Sequence, residues 1–472
     1  MAAAEKQPVT ISGVGPLNGA MSGLLTWIDQ RFPLMDLWYS HLAKYHAPKN
    51  FNFWYYFGSL SLFVLVLQLV TGIFLTMNYK PDAAQAFASV EYIMREVPAG
   101  WWIRYMHSTG ASFFFICVYL HMFRGLLYGS YRKPRELLWI FGMLIFLCLM
   151  AEAFFGYLLP WGQMSYWGAQ VIVNLFGAIP FIGPDLAIWI RGDYVVSDAT
   201  LNRFFAFHVI AVPLVLLALV GAHLLALHEV GSNNPDGVEI KNAKDAKTGI
   251  PLDSVPFHPY YTVKDTFGVA VFLVVFSIVV FFAPEAGGYF LEANNFIAAD
   301  PLKTPPHIAP VWYFTPYYSI LRATTDDFVR WALTPGVIAF AALIIWSVKN
   351  TVVRGAVGAI AALLLIGFFN LDAKVWGVVL MGVSVTIFFL LPWLDRSPVK
   401  SIRYKGPITK VALALFVVTF FVLGYLGTEG VTSGRTVAAQ IGTAVYFLFF
   451  FLMPWWSKMD KCKPEPQRVT GK

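Results

Sequence analysis

Long apolar runs dominate this chain and restrict it to one kind of fold. Each run, of roughly 18–25 residues, is long enough to cross about 30 Å of hydrocarbon as an α-helix. Hydrophobic residues make up 58% of the 472 residues and charged residues only 13%, so a water-soluble fold could not cover its own surface. The sequence therefore predicts an all-α, polytopic membrane protein. The predicted spans lie near residues 54–77, 107–128, 136–159, 204–227, 266–283, 329–348, 354–370, 374–393, 409–427 and 436–456.

Basic residues mark one set of connections between the predicted spans. They cluster at residues 132–135, 241–247, 349–354 and 396–405, and again after residue 457. Because cytoplasmic loops carry an excess of Lys and Arg, these loops and both termini are predicted to be cytoplasmic. The net charge of +7 is attributed to this topology, and no nucleic-acid partner is expected. Residues 1–50 predict a surface segment rather than a cleavable signal, with the apolar residues of 24–37 lying on the membrane.

Two of the predicted helices carry a pair of histidines each. His107 and His121 on helix two are 14 residues apart, and His208 and His223 on helix four are 15 apart. At about 1.5 Å per residue, each pair spans roughly 21 Å along its helix. The two helices run in the same direction, so the first histidines of each are predicted at one depth and the second at another. Each cross-helix pair can fill both axial positions of a haem iron, which suits electron transfer.

The 15-residue interval on helix four needs a local adjustment. It adds about 60° of rotation relative to the 14-residue interval. Pro213 lies between the two histidines, so we expect a kink or a one-residue bulge there that restores the facing. No Cys-x-x-Cys-His motif is present, which predicts that the haems are bound without a covalent link.

Four glycines repeat the histidine interval on the flanking helices. Gly58 and Gly72 on helix one are 14 residues apart, as are Gly142 and Gly156 on helix three. Such glycines also serve helix packing in membranes, but the shared interval favours glycines that admit a porphyrin face at two levels. Basic residues near the histidines could hold haem propionates or act as interfacial anchors. They are Arg104, Arg124 and Arg203.

Several segments resemble cytochrome b of respiratory complex III. They are residues 156–168, 231–235, 305–310 and 391–397, and the likeness extends over nearly the whole chain. The resemblance implies a subunit of a bacterial ubiquinol–cytochrome c oxidoreductase in the inner membrane, with a low-potential outer and a high-potential inner b haem. It also implies quinol oxidation at an outer site, quinone reduction at an inner site and coupled proton translocation. The implied partners are a Rieske iron–sulfur protein, a membrane-anchored c-type cytochrome, a second copy of the complex and lipids.

The resemblance also assigns residues to the two quinone sites. For the outer site it implies Tyr157, Gly162, Gly168, Pro310, Trp312, Tyr313 and Tyr318. For the inner site it implies His228, Ser232, Lys264 and Asp265. Quinone reduction consumes two protons, and His228 and Asp265 fall at predicted cytoplasmic helix ends, where they could supply them. Either residue, taken alone, could also be an ordinary polar residue at the membrane interface.

The sequence departs from the family pattern in three places. Family members usually carry Pro-Glu-Trp-Tyr in the outer loop, whereas this chain has Val311 in place of the glutamate. The 15-residue histidine interval is closer to the chloroplast relative, which is split into two chains. Residues 324–372 look inserted and add two apolar helices, which we predict to be peripheral, non-catalytic and in contact with lipid or another subunit.

Glu152 is the predicted substitute for the missing acid. It lies in an otherwise apolar stretch of helix three, four residues before Gly156 and therefore on nearly the same face. An ionisable group at such a depth is costly, which favours a function. We predict that Glu152 accepts a proton from quinol, although it could simply bond a neighbouring helix or an arginine. The proton would then leave by another route, for which Tyr318 and Glu292 are the alternatives.

These features predict a division of the chain into six parts. They are a surface segment (1–50), a di-haem four-helix bundle (51–235), a cytoplasmic loop with the fifth helix and outer quinol-site loop (236–323), an inserted hairpin (324–372), C-terminal transmembrane helices (373–457) and a cytoplasmic tail (458–472). Two alternatives are a transporter or channel and a two-haem anchor subunit of a dehydrogenase. The first does not explain the common interval of histidines and glycines, and the second has fewer helices and lacks the quinol-site segments.

Overall fold

The computed structural model describes residues 19–39, 43 and 45–470. Within this part of the chain the fold is helical, and the only sheet is a pair of antiparallel strands, His46–Pro48 and Ser254–Pro256. The predicted all-α membrane fold is confirmed. Much of the predicted surface segment, residues 1–18, lies outside the described residues. Its described part contains two short helices with exposed apolar side chains, among them Leu24 and Trp27.

Ten helices of the described chain are long and apolar enough to cross a membrane, as predicted. They are Phe53–Thr76, Gly100–Tyr128, Glu136–Leu158, Asp198–Val230, Phe257–Phe282, Asp326–Ser347, Thr351–Asn370, Ala373–Leu394, Pro407–Thr428 and Ser433–Phe451, here called helices one to ten. The shorter helices are Gly19–Asp29, Leu34–Trp38, Ala86–Arg95, Gln163–Phe176, Gly183–Arg191, Thr315–Ala323 and Met453–Met459. The separate 3₁₀ turns are Ile240–Asn242, Ala286–Gly288, Ala293–Phe296 and Trp312–Phe314.

Three helices begin earlier than their apolar runs. Helices two, four and five start at Gly100, Asp198 and Phe257, whereas the runs start near 107, 204 and 266. An apolar run marks only the hydrocarbon layer, of about 30 Å, while a helix can continue through the headgroup region. The predicted boundaries therefore mark the part of each helix that lies in the hydrocarbon layer rather than the whole helix.

The first four helices form the predicted bundle. Helix one packs against helix two, and helix three against helix four. Helix five lies on the outside of this bundle, where the rings of Phe272 and Phe276 lie 5.5 and 5.2 Å from the ring of Phe113. Helices eight, nine and ten pack around the short helix Thr315–Ala323. A single core of buried apolar side chains joins the two groups.

Helix four contains the bulge that its histidine interval predicted. Its regular α-helical parts are Asp198–Ala206 and Val212–Val230, and the residues between them, Phe207–Ala211, form one turn of π-helix. A π-turn accommodates one extra residue in a helix. Pro213 follows directly and has no N–H with which to continue the ladder. The extra residue cancels the rotational offset of the 15-residue interval, and the π-turn that holds it includes His208.

The predicted inserted hairpin, helices six and seven, lies at the periphery. Helix seven contains no buried residue. Helix six contacts the rest of the protein in few places. The ring of Phe340 lies 5.3 Å from that of Phe451 and 5.9 Å from that of Trp455, and Val329 packs with Trp376 of helix eight. Trp346 and Phe369 expose 81% and 74% of their surface. A surface this apolar requires lipid or protein around it, in line with the prediction of lipid or subunit contact.

The predicted tail is docked against the loop between helices four and five. The Arg468 guanidinium bonds both carboxylate oxygens of Asp253 at 2.6 and 3.0 Å, and Lys49 lies 3.0 Å from the same carboxylate. Thr470 donates from its N–H and its hydroxyl to Asp236 at 2.9 Å. We call this set of contacts the tail clasp. Arg468 and Lys49 hold the pKa of the Asp253 carboxyl well below its usual range.

Candidate functional site

The four histidines meet in the predicted pairs, at two levels of the bundle. The ring centroids of His107 and His208 lie 6.1 Å apart, and those of His121 and His223 lie 6.4 Å apart. Rings at this separation, held on neighbouring helices, can approach one iron from opposite sides.

Each glycine of the repeated interval faces one of these histidines. A Cβ on Gly72 would lie 3.3 Å from His107 Cε1, and one on Gly156 would overlap the ring of His208. At the other level, a Cβ on Gly58 would lie 3.1 Å from His121 Cε1 and one on Gly142 would lie 3.3 Å from His223 Cε1. The flanking helices therefore leave space beside the imidazoles at both levels. Any larger residue would press on the rings.

At the outer level, both histidines are oriented through Nδ1. His107 Nδ1 lies 2.9 Å from the Thr71 hydroxyl, and His208 Nδ1 lies 3.0 Å from the Glu152 carbonyl oxygen. The carboxylate of Glu152 is also 3.0 Å from His208 Nδ1. When Nδ1–H donates to such acceptors, the lone pair of Nε2 is left for a metal. The Gln68 side chain, bonded to the His107 carbonyl at 3.0 Å, supports this helix turn from helix one.

A cavity of about 270 Å³ opens beside the outer pair. His107, His208, Gly72 and Gly156 line it, together with Arg104. Arg104 Nη1 is buried, and no described residue bonds it. A buried guanidinium without a partner is costly, so its position indicates an anionic group in the cavity. The cavity, the paired imidazoles and the basic group fit a b-type haem with a propionate on Arg104.

The other two arginines differ in their surroundings. Arg124 lies near the inner pair, bonds the Asn233 carbonyl at 3.1 Å and packs 5.7 Å from the ring of Phe51. Arg203 is exposed and bonds the carbonyl of Trp189. It does not line the outer cavity, so the structure does not place Arg203 where the sequence predicted a propionate partner.

Part of the predicted outer quinol site surrounds a second, smaller cavity. Gly168, Pro310, Tyr157 and Val311 line it. Its volume, about 20 Å³, is too small for a quinol ring in this conformation. Tyr157 and Val311 also line the large cavity, so these two side chains form the wall between the two spaces.

The remaining residues predicted for the outer site do not line this smaller cavity, and Tyr313 lines the large one. Trp312 Nε1 donates to the Ser112 hydroxyl at 3.1 Å, and Tyr313 stacks on Phe115 with a centroid distance of 3.9 Å. Tyr318 lies beneath the Arg322 guanidinium, 5.1 Å from its ring centroid. Gly162 is crowded by Asn295, because the outer loop crosses the backbone there.

The outer loop contributes an acid, Glu292, that the sequence suggested only as an alternative route for the proton. The Tyr157 hydroxyl donates to the carboxylate of Glu292. Burial raises the pKa of Glu292 to about 7, and the bond from Tyr157 opposes that rise. No spacing in the sequence connects these residues, since 135 positions separate them.

Polar groups of helices one and five come together at the predicted inner site. Asp265 accepts hydrogen bonds from the Tyr55 hydroxyl at 3.1 Å and the Ser59 hydroxyl at 2.9 Å. His228 lies at the end of helix four, with its ring 4.8 Å from that of Tyr45. The sequence reasoning missed Tyr45, Tyr55 and Ser59. The four-residue spacing of Tyr55 and Ser59 on one face of helix one was an available signal.

The other two residues predicted for the inner site have different surroundings. The Lys264 ammonium lies 5.1 Å from the ring centroid of Tyr261. Ser232 lies in the segment that follows helix four, half-buried and next to Asn233.

Comparison with known proteins decides the family. The model "Cytochrome b/b6/petB" matches residues 42–231, and "Cytochrome b(C-terminal)/b6/petD" matches residues 298–447. Cytochrome b of Allochromatium vinosum is 56% identical over 450 residues, covering 95% of this chain and 98% of that protein. The chain belongs to the cytochrome b family.

Two further relatives extend this result. Cytochrome b of Rickettsia prowazekii is 42% identical over 447 residues, covering 94% of this chain and 97% of that protein. A solved structure, "Hyperthermophilic respiratory Complex III", superposes with a TM-score of 0.76 at 37% identity, covering 92% of this chain and 98% of that one. As a cytochrome b, the chain is a membrane subunit of a respiratory electron-transfer complex, and its family implies b-type haem. The transporter and dehydrogenase-anchor alternatives are thereby excluded.

Proposed function

We propose that this cytochrome b is the quinone-binding, electron-transferring subunit of a bacterial ubiquinol–cytochrome c oxidoreductase in the inner membrane. It would oxidise quinol at the outer site and reduce quinone at the inner site, with proton translocation coupled to the two reactions. The observation that carries this proposal is the pair of facing histidines at each of two levels, with a glycine beside every ring. The positive-inside pattern supports cytoplasmic termini.

Named residues would hold two haems. His107 and His208 would ligate the outer haem through Nε2, and His121 and His223 the inner one. The haems supply one-electron redox chemistry with no open coordination position. The chain itself fixes the imidazole orientation at the outer level, through Thr71 and the carbonyl of Glu152, and offers the Arg104 guanidinium to a propionate.

At the outer site, the chain would position quinol against the wall formed by Tyr157 and Val311. This wall is one side chain thick, so a quinol in the smaller cavity would lie next to the haem space. Gly168 and Pro310 would form the apolar floor on which the ring lies. Because the cavity is small, binding must move side chains apart.

At the inner site, Asp265 and His228 would supply the two protons that quinone reduction consumes. The hydroxyls of Tyr55 and Ser59 orient the Asp265 carboxylate, and the ring of Tyr45 supports His228. Partners of this subunit would include a Rieske iron–sulfur protein and a membrane-anchored c-type cytochrome, in a homodimeric complex. The match to a solved complex III supports such an assembly.

Purification of the complex tests this proposal. We expect two non-covalent b haems per chain, resolved as two components in a potentiometric titration, and quinol–cytochrome c turnover. A preparation with one haem or none per chain would contradict the proposed pairing. Two haems without quinol oxidation would contradict the proposed outer site.

A further inference from the structure

We infer that Glu292, acting through Tyr157, accepts a proton of quinol at the outer site and thereby replaces the acid that is absent at position 311. This inference rests on the proposed function and adds a catalytic residue to it. The bond between the Tyr157 hydroxyl and the Glu292 carboxylate is its geometric basis.

Tyr157 occupies the position from which such a relay can start. It lines the smaller cavity together with Gly168 and Pro310, and it also lines the haem cavity. Glu292 is half-buried behind it, and the next two residues of the loop, Ala293 and Asn294, are exposed. The pair therefore joins the quinol cavity to water on the outer side.

The outer loop is pinned where it carries Glu292. Asn295 Oδ1 accepts from the Ser165 N–H at 2.9 Å, and the Asn295 N–H donates to the Glu292 carbonyl at 2.9 Å. The Ser165 hydroxyl in turn bonds the Tyr157 carbonyl at 2.5 Å. The carboxylate is thus held to the same segment that carries the tyrosine, as a relay between two fixed groups requires.

Glu152, which the sequence suggested for this role, has a different environment. One oxygen of its carboxylate lies 3.0 Å from His208 Nδ1, and the other is buried without a bond from any described residue. Glu152 lines the haem cavity but not the smaller one. Its geometry suits orientation of the histidine rather than acceptance of a proton from quinol.

The proton and electron balance follows from the chemistry of quinol. Oxidation of one quinol to quinone releases two electrons and two protons. One proton passes from a quinol hydroxyl to the Tyr157 oxygen while the Tyr157 proton passes to Glu292, leaving a neutral tyrosine and a carboxylic acid. Release of that proton to outer water restores the carboxylate. The two electrons would be accepted one at a time, by a haem held between His107 and His208 and by an iron–sulfur partner, and the second proton would leave with the electron that goes to the partner.

The surroundings of Glu292 suit a proton acceptor that works near neutrality. The titratable and charged groups around it are Tyr157 of helix three, Tyr313 of the outer loop and Arg104 of helix two, which interacts with Tyr157. Burial raises the pKa of Glu292 to about 7, despite the opposing bond from Tyr157. A general base is most effective when its pKa is close to the working pH.

The main test is Glu292→Gln in the full complex, assayed for quinol–cytochrome c turnover from pH 5.5 to 9. We expect turnover at pH 8 to fall by at least about 10-fold, with loss of the rise through about pH 7 and with both haems retained. Adding Val311→Glu to this variant should restore turnover, since position 311 lines both cavities beside Tyr157. Glu96→Gln is the matched control, because Glu96 is exposed at the end of a surface helix on the same side.

A second variant keeps the test decisive if Glu292→Gln fails to assemble. Tyr157→Phe removes the hydroxyl that hands the proton to Glu292, so turnover at pH 8 should fall to a similar extent and the rise through about pH 7 should be lost, with both haems retained. Near-normal turnover of Glu292→Gln with an unchanged pH profile would overturn the inference, as would near-normal turnover of Tyr157→Phe. Failure of the wild-type complex to oxidise quinol would instead count against the proposed function, so the two failures are distinguishable.

Discussion

The two histidine levels share one spacing but have different environments. At the outer level, both imidazole Nδ1 atoms have acceptors, a carboxylate lies beside His208, and Arg104 faces a cavity. At the inner level, no described residue bonds His121 Nδ1, and the Arg124 guanidinium donates to the Asn233 carbonyl. A carboxylate near a ligand makes that ligand more basic and favours the oxidised iron. The spacing therefore does not distinguish the two levels, and in the proposed function their neighbouring groups would give the two haems different potentials.

Removal of an inner histidine ligand should have the largest effect of the changes considered. His121→Leu or His223→Leu should delete the inner haem and spare the outer one, because the two levels use separate residues roughly 21 Å apart. The measurement is haem per chain together with reduced-minus-oxidised spectra. Equal loss of both haems, or loss of neither, would contradict the pairing. His208→Leu is the matched outer-level variant and should delete the other component.

The glycines offer a graded version of the same test. A methyl group at Gly156 would overlap the His208 ring, whereas one at Gly142 would lie 3.3 Å from His223 Cε1. Gly156→Ala should therefore weaken the binding of the outer haem by about 1–3 kcal/mol, which is the usual cost of overpacking. Gly142→Ala should weaken the binding of the inner haem by less. The amount of each haem that is retained after extensive washing would show which variant binds its haem more weakly. The reverse order would show that the rings move apart more readily at the outer level.

Glu152→Gln should change the potential of the outer haem and leave that of the inner haem as it is. The substitution keeps the size of the side chain and removes its charge next to His208. We expect the outer haem to shift to a higher potential while the inner one stays unchanged, with turnover reduced by about 10-fold at most. A redox titration with turnover per haem measures both. Unchanged potentials and turnover would mean that Glu152 only fills space. That outcome would contradict both its role in orienting His208 and its predicted role as a proton acceptor.

Deletion of residues 329–370 should have the smallest effect, because the hairpin lies at neither level. Helix seven has no buried residue, and helix six contacts the rest of the protein through few side chains. We expect the complex to assemble with both haems and unchanged quinol oxidation per haem, although its stability in detergent should fall. An assembled variant that had lost quinol oxidation alone would show that the hairpin takes part in catalysis.

The sequence predicted features that repeat along helices and missed contacts that connect distant loops. Apolar length gave the ten spans, and the 14- and 15-residue intervals predicted the histidine levels and the bulge. The Tyr157–Glu292 bond and the docked tail were not predictable in this way, because they join residues 135 and 215 positions apart. The misplacement of Arg203 has a similar cause. Proximity to His208 along the chain did not anticipate the bond of Arg203 to the Trp189 carbonyl in the short helix Gly183–Arg191.

The tail clasp has a consequence for the order in which the molecule is completed. Arg468 reaches Asp253 across 215 residues of chain. At the usual pace of bacterial synthesis, of about 5–20 residues per second, roughly 10–40 s separate the emergence of the two partners. During that interval helices one to five can be inserted while the loop after helix four is still unfastened. The clasp of Lys49 and Arg468 on Asp253 is therefore among the last contacts of the molecule to form, and the loop after helix four stays unfastened until residue 468 has been synthesised.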